Sequence, residues 1–109
     1  MPMAPPPDIQ DSRIKWFIGD VEVTIKQIEI NRERTYPLVI FFDLDIYEPS
    51  LVAWNYLRAH LRVGDLLYFD EAFDQDERRL LNEVILPSGK FKFIGASHLS
   101  LALKVLELH

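Results

Sequence analysis

Residues 38–49 read Leu-Val-Ile-Phe-Phe-Asp-Leu-Asp-Ile-Tyr-Glu-Pro, an apolar run that stops on two carboxylates and reaches a proline four residues later. Residues 38–42 are apolar without alternation, the pattern of a strand buried on both faces of a parallel sheet. Pro49 suits the first turn of a helix, where its missing N–H costs nothing. Leu51, Trp54, Leu57 and Leu61 then recur at helical spacing, and Gly64 is placed to end that helix. One strand, a pair of acids and one helix are therefore written into this stretch.

The same unit repeats downstream. Residues 66–69 (Leu-Leu-Tyr-Phe) form a second short apolar strand that ends in Asp70 and Glu71. Asp74, with Glu77 three residues on, opens a further helix in the manner of a capping box. Leu80, Leu81, Val84 and Ile85 give it an apolar stripe, and Pro87-Ser88-Gly89 stops it. Residues 91–94 and 101–106 are expected to close the sheet as an antiparallel pair. Upstream, residues 14–18 (Ile-Lys-Trp-Phe-Ile) read as a strand ended by Gly19-Asp20. Beyond it two patterns coexist. Val21, Ile25 and Ile28 share one helical face, whereas Val21, Val23 and Ile25 alternate as the second strand of a hairpin would. A helix over residues 21–32 is the working assignment.

Strands alternating with helices imply an α/β fold: a mostly parallel sheet with right-handed crossovers, a C-terminal antiparallel pair, and helices on its faces. Residues 1–12 form a proline-rich arm and residues 13–109 a single domain. With 12 basic and 17 acidic residues the net charge is −5, which argues against a nucleic-acid partner. There is no cysteine, which excludes disulfides and thiolate metal sites and fits a cytoplasmic location. The longest apolar run is too short to span a bilayer, and residues 1–7 lack the basic and apolar regions of a signal peptide, so no membrane association is expected.

In open parallel sheets, ligands gather beyond the carboxyl ends of the strands. Two successive units deliver acids there: Asp43 with Asp45, and Asp70 with Glu71. Converging carboxylates repel one another unless a cation compensates them. Oxygen-only ligation suits Mg²⁺, Ca²⁺ or Mn²⁺ rather than zinc. The competing explanation is that these acids cap helix N-termini, where negative charge is favoured.

The Asp-x-Asp strand end superficially matches haloacid-dehalogenase-type phosphatases and metal-dependent glycosyltransferases. The first need a lysine that is absent between Asp45 and Asp70; the second need a nucleotide-binding region ahead of the motif. The closer resemblance is to class I, metal-dependent O-methyltransferases of the macrocin O-methyltransferase type. It rests on Phe42-Asp43-Leu44-Asp45-Ile46-Tyr47-Glu48-Pro49, then Leu61-Arg62-Val63-Gly64-Asp65, then Leu67-Tyr68-Phe69-Asp70-Glu71, with Phe17-Ile18-Gly19-Asp20 and Thr24 resembling the preceding strand and helix start. Together these cover residues 14–106.

The resemblance implies a partial Rossmann-like methyltransferase sheet. It implies that Asp43 ligates Mg²⁺ and assists deprotonation of an acceptor hydroxyl, that Asp70 and Glu71 are the other metal ligands, and that Gly19 and Asp20 lie near the adenine of S-adenosylmethionine. Asp45 and Tyr47 would be supporting or structural. Three positions depart from the family pattern. Asp65 replaces the second glycine of a Gly-Gly pair, Glu71 replaces an aspartate, and the glycine-rich donor loop has no counterpart among Gly19, Gly64, Gly89 and Gly95.

The implied protein is a truncated methyltransferase-like domain, retaining the metal and acceptor side and inactive alone. The alternative is a non-catalytic α/β module that self-associates. Loss of the sheet's middle strands would leave a bare edge, so a homodimer through that edge or through the N-terminal arm is expected. His60, His98 and His109 show no ligand spacing, and Trp16 and Trp54 read as core.

Overall fold

The computed structural model describes residues 10–44 and 46–109. Residues 1–9 of the proline-rich arm, and Asp45, lie outside them. Four strands form one sheet: β1 (Val39–Phe42), β2 (Leu66–Phe69), β3 (Gly89–Ala96) and β4 (Leu101–Leu108). Helix α1 (Val21–Thr24) runs into a 3-10 turn at Ile25–Gln27, α2 (Tyr47–Leu57) into another at Arg58–His60, and α3 (Gln75–Leu80) continues through a π turn at Leu81–Ile85.

The sheet order is β1-β2-β4-β3. β1 and β2 are parallel, while β4 runs antiparallel to both β2 and β3. Only one of the three pairings is parallel, which corrects the expectation of a mostly parallel sheet. The reason is the closing hairpin: β4 folds back inboard of β3 and takes the place beside β2 that a third parallel strand would have held.

The helices cover one face, not both. Phe42, Leu67, Phe69, Leu103 and Val105 point to the side occupied by Ala53, Trp54, Leu57, Leu80 and Ile85, and all are buried in one core. The chain crosses the sheet in a single direction from β1 through β2 to β3, so right-handed crossovers place α2 and α3 on the same side. On the opposite face, Val39 and Phe41 remain 66% and 58% exposed.

Two upstream assignments change. Residues 14–18 form no strand among the described residues, and Trp16, read as core, is 48% exposed. A strand exists only through a ladder, and among the described residues nothing pairs with them. The helix assigned to residues 21–32 stops at Gln27, and Ile28 is extended at φ −78°, ψ 122°. Val21, Val23, Thr24 and Ile25 are β-branched, which weakens helix propagation.

Strand β3 begins with Gly89, where a Cβ would collide with the carbonyl oxygen of Glu107 across the hairpin. Gly89→Ala is expected to cost about 1–3 kcal/mol, the usual range for forced overpacking. Urea denaturation checks it.

Candidate functional site

Phe42 and Phe69 are register partners, with their rings stacked 4.8 Å apart. The residues that follow, Asp43 and Asp70, therefore emerge side by side at the carboxyl ends of two parallel strands. The Asp70 N–H donates to the Phe42 carbonyl at 3.2 Å, extending the ladder by one residue. Asp43 is exposed; Asp70 and Glu71 are half-buried.

The loop after β2 is held from two sides. The Ser100 hydroxyl donates to the Asp70 carbonyl at 3.0 Å, and the Ala72 N–H donates to the Leu99 carbonyl at 2.8 Å. From α3, the carboxylate of Glu77 accepts the Glu71 N–H at 3.3 Å. This corrects the capping-box expectation. Asp74 does cap α3, accepting from the Gln75 N–H at 2.8 Å, but Glu77 turns inward, is 1% exposed, and anchors the acidic loop. Ser100 and Glu77 were missed as site-supporting residues. Glu77 carried one signal, an acid at the third position of a helix; Ser100 carried none.

Among the described residues, no group of three or more histidine, aspartate or glutamate side chains is gathered in a metal-holding arrangement. Asp45 lies outside the described residues.

Gly19 and Asp20 sit at the entry to α1. Gly19 has φ +141°, and the Asp20 carbonyl accepts the N–H groups of Val23 and Thr24, each at 3.0 Å. The next residue, Val21, lines an apolar groove that also includes Ile25, Ile28, Leu57 and, at its rim, Asp43. Tyr47 has a packing role: the Arg79 guanidinium lies 3.8 Å over its ring and joins the first turn of α2 to α3. Arg79 also pairs with Glu83 at 3.0 Å, which raises its pKa.

The strongest polar cluster lies at the other end of the sheet and was not anticipated. Arg34 and Asp65, 2% and 1% exposed in their side chains, form a two-pronged ion pair at 2.8 and 2.6 Å. Asp65 also accepts the N–H groups of Leu38 at 2.9 Å and Arg62 at 2.7 Å, while Arg34 donates to the carbonyls of Tyr36 and His60. Burial pushes the Asp65 carboxyl up, but the Arg34 guanidinium and the two amides outweigh it and hold the group below its ordinary value of 3.8. The Arg34 pKa is raised by the same bond. The residue that departs from the glycine pair is thus the fastener between the segment entering β1 and the turn entering β2.

No family model and no curated protein matches the chain. Among solved structures, the fold is similar to that of an O-methyltransferase. The apo structure of CalS11, a TDP-rhamnose 3'-O-methyltransferase of calicheamicin biosynthesis, matches with TM-score 0.62 and 25% identity over 79% of this chain. A crystal structure of CalS11 described as a calicheamicin methyltransferase matches with TM-score 0.62 and 24% identity over the same share. The match covers 39% and 35% of those chains, so this chain spans well under half of their length.

Proposed function

We propose that the chain is the metal- and acceptor-facing part of an S-adenosylmethionine-dependent O-methyltransferase-like domain. In this reading Asp43, Asp70 and Glu71 bind a hard divalent cation, and Asp43 also takes the proton of the acceptor hydroxyl. The observation that supports it most is the Phe42–Phe69 register, which sets Asp43 beside Asp70 in a methyltransferase-like fold. The three carboxylates are not gathered into one metal-holding group in this structure, but their oxygen chemistry suits Mg²⁺, which is commonly held by one or two carboxylates and completes its shell with water and substrate. When bound, such an ion lowers the pKa of a coordinated hydroxyl and neutralises the oxyanion. Asp43 is exposed; Asp70, bonded through its backbone to β1 and to Ser100, is held fixed.

The methyl donor does not fit this chain alone. Its four glycines form no Gly-x-Gly loop. The isolated chain is therefore inactive in this reading, and S-adenosylmethionine is expected to bind no tighter than about 1 mM by isothermal titration.

Mn²⁺ titration followed by electron paramagnetic resonance tests the metal. Asp43→Asn should weaken Mn²⁺ binding by at least about 10-fold, as alterations at metal sites commonly do; unchanged affinity removes Asp43 from the ligand set. A second reading, a non-catalytic module that self-associates, draws on the outer edge of β1, which no strand pairs among the described residues, and requires no Mn²⁺ affinity at Asp43.

A further inference from the structure

We infer that the cleft between the segments entering β1 and β2 binds a phosphate-class oxyanion, held by Arg32, His60 and Arg62 against a wall that includes Arg34. The inference is independent of the methyltransferase reading, because this end of the sheet is opposite to the one that bears Asp43 and Asp70.

The cleft is built from residues 30–32, Arg34 and residues 59–62, and holds about 210 Å³. That is below the ~300 Å³ at which pockets for drug-sized ligands begin, so it suits a small ion or a single ionic group. Its polar side chains are Asn31, Arg32, Arg34, His60 and Arg62, and no carboxylate is among the lining residues. The chain as a whole carries 17 acidic against 12 basic residues, so three arginines around one concavity reverse the overall charge locally. Asp65 balances Arg34 and accepts two backbone amides besides. Among the described residues neither Arg32 nor Arg62 forms an ion pair.

Most of these groups are set in place in advance. Arg62 Nη1 donates to the Arg34 carbonyl at 2.9 Å and ties the two segments together. The His60 ring rests against Tyr56, with ring centroids 5.6 Å apart. The Arg34 guanidinium makes four hydrogen bonds, two to Asp65 and one each to the carbonyls of Tyr36 and His60. Its Nε–H is buried and has no hydrogen-bond partner among the described residues. A buried donor without an acceptor is destabilising, and an ordered water or ion is its usual partner. Three guanidinium groups favour an anion in that role, and the planar forks of Arg32 and Arg62 match the oxygens of a phosphate group.

The test titrates inorganic phosphate into the 109-residue chain at fixed ionic strength, followed by amide NMR. Phosphate should shift the amides of residues 30–34 and 59–62 and approach saturation by about 10 mM. Arg32→Gln should weaken binding at least about 10-fold, the loss of one hydrogen bond to a charged group. Arg62→Lys keeps the charge but loses the fork, and should also weaken it. Arg58→Gln removes an exposed charge outside the lining and should change affinity less than about 2-fold, as a screened charge does. Circular dichroism checks that each variant folds. Glycerol phosphate, titrated in parallel, separates the sources: binding at least as tight as that of phosphate marks a phosphomonoester ligand, and weaker binding marks the free ion. Either result supports the site. Shifts centred on other residues, no approach to saturation, or equal losses in Arg32→Gln and Arg58→Gln overturn it. None of these readouts depends on metal or on Asp43.

Discussion

Asp65→Asn is expected to lower folding stability by about 3–5 kcal/mol, the cost of leaving a buried charge without its partner. Asparagine keeps the shape of aspartate but cannot neutralise Arg34, and it cannot serve as sole acceptor for the four donors converging on this carboxylate. Those donors come from residues 34, 38 and 62, so the loss would loosen the entries to β1 and β2 together. Urea denaturation should show a lower midpoint with an unchanged slope. Replacing the pair jointly, as Arg34→Met with Asp65→Leu, should recover most of the loss, because a well-packed apolar pair can match a buried ion pair.

The same residue sets an acid limit. A carboxyl held below its ordinary value of 3.8 contributes stability that is fully present above that value. The contribution is lost as pH falls through the lower folded-state value, since the folded form resists the protonation that the unfolded chain accepts. Wild type should therefore lose stability as pH drops below 3.8, and Asp65→Asn should show a shallower loss in the same window. Equal slopes in the two proteins would show that Asp65 is not a source of the acid sensitivity.

Trp54→Ala should cost about 3–5 kcal/mol, enough to unfold a large share of a domain this small. Trp54 is 0% exposed and joins α2 to the sheet face bearing Phe42 and Phe69. Its indole N–H has no hydrogen-bond partner among the described residues. Trp54→Phe should for that reason cost far less, about 1–2 kcal/mol, because the loss is packing volume alone and a buried unpaired donor goes with it. A Phe variant as unstable as the Ala variant would mean that the N–H holds a bond.

Local pattern determined the elements with strong local signals. Residues 38–42 and 66–69 are apolar runs bounded by acids, and both are strands because nothing polar competes for the interior. Leu51, Trp54 and Leu57 keep helical spacing, and α2 forms where Pro49 permits it. The adjacency of Asp43 and Asp70 also follows from sequence, since a strand, a crossover helix and a strand return the chain to the same edge. The supports of that rim did not follow: Glu77 and Ser100 reach Glu71 and Asp70 through contacts that no local motif fixes.

By itself the amino-acid order settled which segments could be strands or helices and which ends would carry carboxylates, because hydrophobic period and chain stereochemistry act over a few residues. Tertiary structure alone decided that β4 slots between β2 and β3, that the helices lie on one face, that residues 14–18 find no ladder among the described residues, and that Asp65 meets Arg34 across 31 positions. Each of these depends on what lies beside a segment in space, and a strand or a buried charge is stable only when that neighbour exists.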